Sequence, residues 1–259
     1  MINVARKLLS LSLFHWKCLS AYFKPGARWH LGTPFHILQR LGYYFSNWCY
    51  SLFVYGAESL RFMSYRRLKQ VDSQLYKHYF YPNQFWIALT EGLKVERPET
   101  LYRLTYGETT WFGIDAMLKR VGARPEDVFY DLGCGTGRNV FFAGLVYDMK
   151  AVGVDLLSSF IDYATQTAQQ NQLEKIHFVQ QNIFETPLHE ASIVFVTANC
   201  YDQETMPMLV KRLEDLKPGS HLISTHRSIP SSRLKVTGTQ KLPFSWGVDT
   251  VYYHVVEAA

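Results

Sequence analysis

One turn and its two flanks constrain this chain more than anything else in it. Val128 to Leu132 is a mostly apolar run with Asp131 near its end, and it reads as a buried strand. Gly133, Gly135 and Gly137 follow at once, and Asn139 to Val146 reads as the helix they feed. Glycine has no Cβ, so the backbone can bend sharply there and press against a ligand. The first N–H groups of the helix have no partner within it and can face a polar ligand. Ala151 to Leu156 reads as a second strand, with Asp155 near its end. A carboxylate about 20 residues past the glycines is placed to accept both hydroxyls of a ribose. Strand, glycine turn, helix and strand in that order restrict the fold class to α/β.

Two cofactors compete for such a loop. A dinucleotide loop spaces its glycines G-x-G-x-x-G, whereas this chain has G-x-G-x-G and puts Arg138 at the sixth position, a poor fit to a pyrophosphate. Asp131-Leu132-Gly133-Cys134-Gly135-Thr136-Gly137 is similar to the first motif of the S-adenosylmethionine (SAM) methyltransferases with a Rossmann-like sheet. That resemblance puts Asp131 near the cationic methionine end of SAM and Asp155 on its ribose. The plain alternative is a glycine-rich turn that binds nothing.

At 259 residues the chain suits one catalytic domain of about 150 residues plus an extension. A content of 47% hydrophobic and 19% charged residues excludes intrinsic disorder. The net charge of +5 is unevenly spread. Through Arg97 there are 13 Lys and Arg against 4 Asp and Glu, a net +9, and the remainder carries 14 against 18, a net −4. This divides the chain into a basic, aromatic and helical extension, 1–97, and a catalytic domain, 98–259. Cys18, Cys49, Cys134 and Cys200 form no C-x-x-C pair, so neither a metal site nor a disulfide framework is expected, and a reducing cytoplasm is the default location. Cys134 reads as a small filler beside the loop.

No stretch is apolar for long enough to span a bilayer. Val4 to Phe23 fits an amphipathic helix that either caps the core or lies peripherally on an anionic membrane. Phe35 to Tyr55 is rich in Tyr, Phe and Trp, and Ser59 to Tyr79 has helical spacing in Leu60, Met63, Leu68, Val71 and Leu75. Arg61, Arg66, Arg67, Lys69 and Lys77 decorate that stretch as a solvated face or as a docking surface for an acidic partner or a membrane. Gln84 to Leu93 reads as a short helix. Thr109 or Thr110 can cap a further helix running to Val121, where Gly122 stops it. Beyond Asp155, helices are expected at Ser158 to Gln172 and Gln203 to Leu216. Strands are expected at Ile176 to Gln180, Ser192 to Val196 and His221 to His226, with Leu234 to Thr239 and Val251 to Val256 as a closing antiparallel pair. The turn at Asn182 and Ile183 is the candidate for the adenine. The loop Thr197 to Tyr201, at a strand's carboxyl end, is the candidate face for the transferred methyl.

Further pieces narrow the match: Tyr106-Gly107-Glu108-Thr109 before the glycine loop, Leu216-Lys217-Pro218-Gly219 before the fifth strand, and Ser245-Trp246-Gly247 with Val251-Tyr252-Tyr253 near the end. In this order they resemble the disruptor-of-telomeric-silencing family of lysine methyltransferases, over roughly Leu101 to Glu257. The resemblance implies a Rossmann-like seven-stranded methyltransferase sheet behind an N-terminal helical extension. It implies that Tyr106, Glu108 and Thr109 line the methionine end of SAM, and that Asp131, Gly133, Gly135 and Asp155 hold the cofactor. Tyr201 and Tyr252 would then wall a lysine channel, with Trp246 as a further candidate wall; the alternative for each is ordinary packing. The family carries Asn-Asn-Phe-Ala-Phe where this chain has Thr197-Ala198-Asn199-Cys200-Tyr201, so Thr197 stands at the asparagine near the methyl and Asn199 two places on. Asn182 is an amide where the family has an acid. The expected activity is methyl transfer from SAM, to a protein lysine or alternatively to a lipid or other small molecule. The remaining alternative is a SAM-binding module without catalysis. His226 is a candidate base or a structural histidine.

Overall fold

The computed structural model describes residues 33–80, 82–95 and 106–258. Three helices come first: α1 (Thr33–Arg61), α2 (Arg66–Leu75) and α3 (Gln84–Val95). The catalytic part follows as α4 (Trp111–Arg120), β1 (Val128–Leu132), α5 (Arg138–Val146), β2 (Lys150–Asp155), α6 (Ser158–Gln170) and β3 (Ile176–Gln180). It continues with β4 (Ile193–Thr197), α7 (Met206–Leu213), β5 (His221–Thr225), β6 (Leu234–Phe244) and β7 (Gly247–Val256). The seven strands form one sheet in the order β3-β2-β1-β4-β5-β7-β6. The first five run parallel, and β7 and β6 are antiparallel. The order reverses between β1 and β4, so the cleft outside the carboxyl ends of these strands is the natural ligand site.

Parallel strands are apolar on both faces because helices cover both. Phe129 and Phe195 pack toward α4 and α5, while Val152, Val194 and Val196 pack toward α7. Phe62, Leu68, Leu75 and Tyr79, from the first helices and the segments after them, lie in the same apolar cluster as Phe141 and Phe160 of the catalytic part. The early helices therefore share the catalytic core. Glu91 of α3 accepts from the N–H of Ser159 at 3.2 Å and fixes α3 against the start of α6.

Most elements lie where the sequence places them. Thr110 is the cap of α4, its hydroxyl accepting from Gly113 N–H at 3.0 Å, and Gly122 ends the turn at φ +68°. Three expectations change. The stretch Ser59 to Tyr79 is broken, because Phe62 turns into the core against Trp111 and Phe142 and the chain reverses before α2. Leu60 and Met63 are consequently exposed. The helix expected from Gln203 starts at Met206, because the Asp202 carboxylate accepts from Glu204 and Thr205 N–H at 3.1 and 2.9 Å and holds those residues in a turn. The closing strands are longer than expected and form a hairpin through Ser245 and Trp246, with a bulge between Val236 and Gly238. The amphipathic stretch Val4 to Phe23 and the boundary at Arg97 lie outside the described residues.

Candidate active site

The glycine loop is built by backbone geometry. Gly133, Gly135 and Gly137 have φ of +84°, +50° and +79°, the left-handed region that side chains strain. A Cβ on Gly137 would lie 2.4 Å from the Phe178 ring. A Cβ on Gly133 would meet nothing within 4 Å, so there the bare backbone faces open space. Gly133 and Cys134 donate to the Val154 carbonyl at 2.8 and 3.0 Å, which ties the loop to β2. Burial, then Asp155 and Asp131, push the Cys134 thiol well above its usual range, and the side chain serves as a small filler against Gly153.

The two carboxylates have distinct settings. Asp155 accepts from Gly135 N–H at 2.8 Å and from Leu157 N–H at 3.0 Å. Burial raises its carboxyl pKa despite these bonds. Asp131 accepts from Asn139 Nδ2 at 3.1 Å, and burial, with Asp155 adding to it, pushes its carboxyl up to about 7. A buried acid in this state favours a cation beside it.

A cavity of about 270 Å³ opens over the loop. Gly133, Gly135 and Asp155 form its floor, and Asn182 and Ile183 line one end. Asn182 Oδ1 accepts from Phe184 N–H at 3.1 Å and starts the 3₁₀ turn that holds this end. Thr197, Asn199, Tyr201 and Trp246 line the same cavity beyond β4. Arg227 donates to the carbonyls of Ala198 and Tyr201 at 2.9 and 2.5 Å and fixes that loop. A second cavity of about 30 Å³ shares Tyr106, Gly107, Gly133 and Thr197 with the first and reaches Glu108, Thr109 and Asp131.

Of the residues singled out from sequence, Tyr252 lines neither cavity. It pairs with Ser224 of β5, inside the sheet, because β7 runs antiparallel and only its first residues reach the carboxyl edge. Trp246, at the hairpin tip, does line the first cavity, as Tyr201 does. It stacks on Phe244 at 4.5 Å and donates to Asp249 at 3.2 Å. His226 lines neither cavity and lies 3.5 Å from Asp249 on the surface. The tryptophan also explains the glycine in Tyr106-Gly107-Glu108: a Cβ on Gly107 would lie 2.5 Å from its ring. Gly107→Ala is expected to push Trp246 off Phe244. It should cost about 1–3 kcal/mol of stability and change tryptophan fluorescence; an unchanged spectrum and melting point would refute this packing.

The part least visible from sequence is a buried polar cluster behind the loop. Glu108 accepts hydrogen bonds from the hydroxyls of Tyr55, Tyr76 and Tyr106, those of Tyr55 and Tyr106 at 3.2 and 2.6 Å. Burial, and next the Glu108 charge, raise the Tyr55 and Tyr106 pKa values well above 10, so both hydroxyls remain donors. Beside them Arg138 donates to Glu58 at 2.6 Å, to Asp72 at 3.2 Å and to the Thr109 carbonyl at 3.1 Å. Its guanidinium lies 4.6 Å from the Trp111 ring centre. Burial opposes its charge, but Glu58 and Asp72 outweigh burial and hold Arg138 ionised. Arg138 was visible in the sequence as the residue that spoils a dinucleotide loop. Nothing in the local sequence signals its partners.

Comparison with known proteins follows the same lines. Residues 90–243 match the family model described as histone methylation protein DOT1. The chain belongs to the DOT1 family. It is a class I, SAM-dependent methyltransferase. A "Protein-lysine N-methyltransferase" of Saccharolobus islandicus is 34% identical to this DOT1-family chain over 113 residues, covering 42% of the chain and 67% of that protein. A "Histone-lysine N-methyltransferase, H3 lysine-79 specific" of Debaryomyces hansenii is 25% identical over 159 residues, 55% of the chain but only 14% of that protein. Among solved structures, TrmN from Thermus thermophilus superposes on 61% of the chain and 52% of its own length at a TM-score of 0.51 and 16% identity, a likeness of fold. Among the described residues no group of three or more His, Cys, Asp or Glu is arranged to hold a metal.

Proposed function

We propose that this chain transfers a methyl group from SAM to a lysine side chain of a protein. One observation carries the reading: the glycine loop, two buried carboxylates and an aromatic-walled opening converge on two adjoining cavities. The residues fit SAM chemically. Gly133 and Gly135 leave backbone free beneath it, and Asp155 retains acceptor capacity for a ribose. Asp131 offers a carboxylate to the cationic methionine end, with Tyr106, Glu108 and Thr109 around it, and Asn182 and Ile183 flank an adenine. Bound SAM supplies an electrophilic methyl on a sulfonium. The chain's own work is to align the acceptor and exclude water. A lysine acceptor must lose its proton, and enclosure in an apolar opening lined by Tyr201 and Trp246 disfavours its charged form by desolvation. Thr197 and Asn199 line the same cavity beyond β4, and we assign them to orienting the amine.

Labelled SAM added to lysate with the purified chain tests this. The label is expected in the protein fraction as methyl-lysine, and Gly135→Arg should reduce it by roughly a hundredfold or more. Label in the lipid fraction would instead favour a lipid acceptor. SAM binding without label in any fraction would reduce the chain to a binding module.

A further inference from the structure

Helix α1 has a buried side and an exposed apolar side. One carries Val54, Tyr55 and Glu58, all buried against the catalytic part. The other carries Leu38, Leu41, Phe45, Trp48 and Leu52, spaced alternately by three and four residues, so that they form one stripe along the helix. These side chains are exposed, Phe45 at 68%, and Phe53 beside them is 76% exposed. The stripe continues through Leu60 and Met63 into the turn before α2. A 29-residue helix is about 43 Å long, so this is a large apolar surface with nothing packed on it among the described residues.

The exposed charges of this region have one sign. Residues 33–80 contain two carboxylates, Glu58 and Asp72, and both are buried on Arg138. What these two helices present to solvent is cationic: Arg61, Arg66, Arg67 and Lys77 are exposed. A second copy laid on the stripe would bring like charges together with no exposed carboxylate of this region to pair them. Nucleic acid would satisfy the arginines and leave the leucines and aromatics in water. An anionic bilayer satisfies both, with the apolar stripe among acyl chains and the cations at the headgroups. No described helix is long and apolar enough to cross a membrane, so α1 would lie in the interface plane. We propose that the exposed apolar stripe of α1 is a docking surface for an anionic lipid bilayer, with the exposed Arg66 and Arg67 at the start of α2 as its cationic contacts. This is independent of which acceptor the active site takes.

The test is flotation of the full chain with phosphatidylcholine vesicles, with and without about 30% phosphatidylglycerol. The chain should float with the anionic vesicles, with a blue shift of tryptophan fluorescence, and should float far less with the neutral ones. Phe45→Asp combined with Leu52→Asp should cut binding by more than tenfold while SAM affinity and circular dichroism stay unchanged, because both side chains point away from the catalytic part. Arg66→Glu with Arg67→Glu should cut binding to anionic vesicles and leave the residual neutral binding untouched. No flotation with either vesicle would overturn the proposal. So would flotation lost only in the arginine variant, since that attraction would be charge alone. A dimer abolished by the Phe45 and Leu52 substitutions, without vesicle binding, would overturn it in favour of self-association.

Discussion

Arg138→Met is expected to lower the stability of the chain by about 3–5 kcal/mol, enough to leave much of it unfolded. The arginine neutralises Glu58 and Asp72, and all three side chains are buried. Removing the cation leaves two acids in a region water does not reach, and each must protonate or drag water in. Glu58 also accepts from the Trp111 N–H, so the damage reaches the start of α4. Urea denaturation gives the magnitude. Adding Glu58→Gln and Asp72→Asn to Arg138→Met should recover part of the loss, since the unpaired charges go with their partner. A single variant within about 1 kcal/mol of the parent, the range of an exposed ion pair, would show that the cluster does not hold the helices to the sheet.

SAM affinity is expected to rise with pH up to neutrality and then level off. The Asp131 carboxyl is held up to about 7 by burial. A cationic ligand end favours its ionised form, so binding expels the proton and the apparent affinity falls by up to tenfold for each pH unit below 7. The Asn139 amide stays a donor to Asp131 throughout. The free protein is expected to show the opposite trend. An acid whose pKa is higher folded than unfolded loses stabilisation as pH rises from about 4, its unfolded value, to about 7, so the melting point without SAM should fall over that window. Calorimetry in buffers of different ionisation enthalpy measures proton release directly. Asp131→Asn should flatten the slope near 7 and weaken binding at neutral pH. A pH-independent affinity in the parent would remove Asp131 from the binding site.

How much of this could be read from the sequence follows from how local each feature is. The strand, glycine turn and helix at Val128 to Val146 are specified by neighbours in the chain, and so are the carboxylates at the strand ends. Alternating strands and helices give the α/β class, whereas the seven-stranded form of the sheet is what the family resemblance implies. The family resemblance implies a channel position for Tyr252, but its location depends on a β5–β7 register with Ser224 that no local pattern encodes. The length of β6 was underestimated because its polar outer residues and Pro243 look unlike a strand, and an edge position tolerates both. The partners of Arg138 lie 66 and 80 residues upstream, in helices whose carboxylates look like ordinary surface charge until the fold buries them.

That distance bears on how such enzymes can be recombined. Tyr55, Glu58, Asp72 and Tyr76 all precede residue 90, where the match to the family model begins, yet they complete the coordination of Arg138 and Glu108 inside it. A chimera that grafts another leader onto this fold inherits an arginine with no counterions and a carboxylate stripped of two donors. The front helices and the residue after the last loop glycine are therefore interchangeable only as a set.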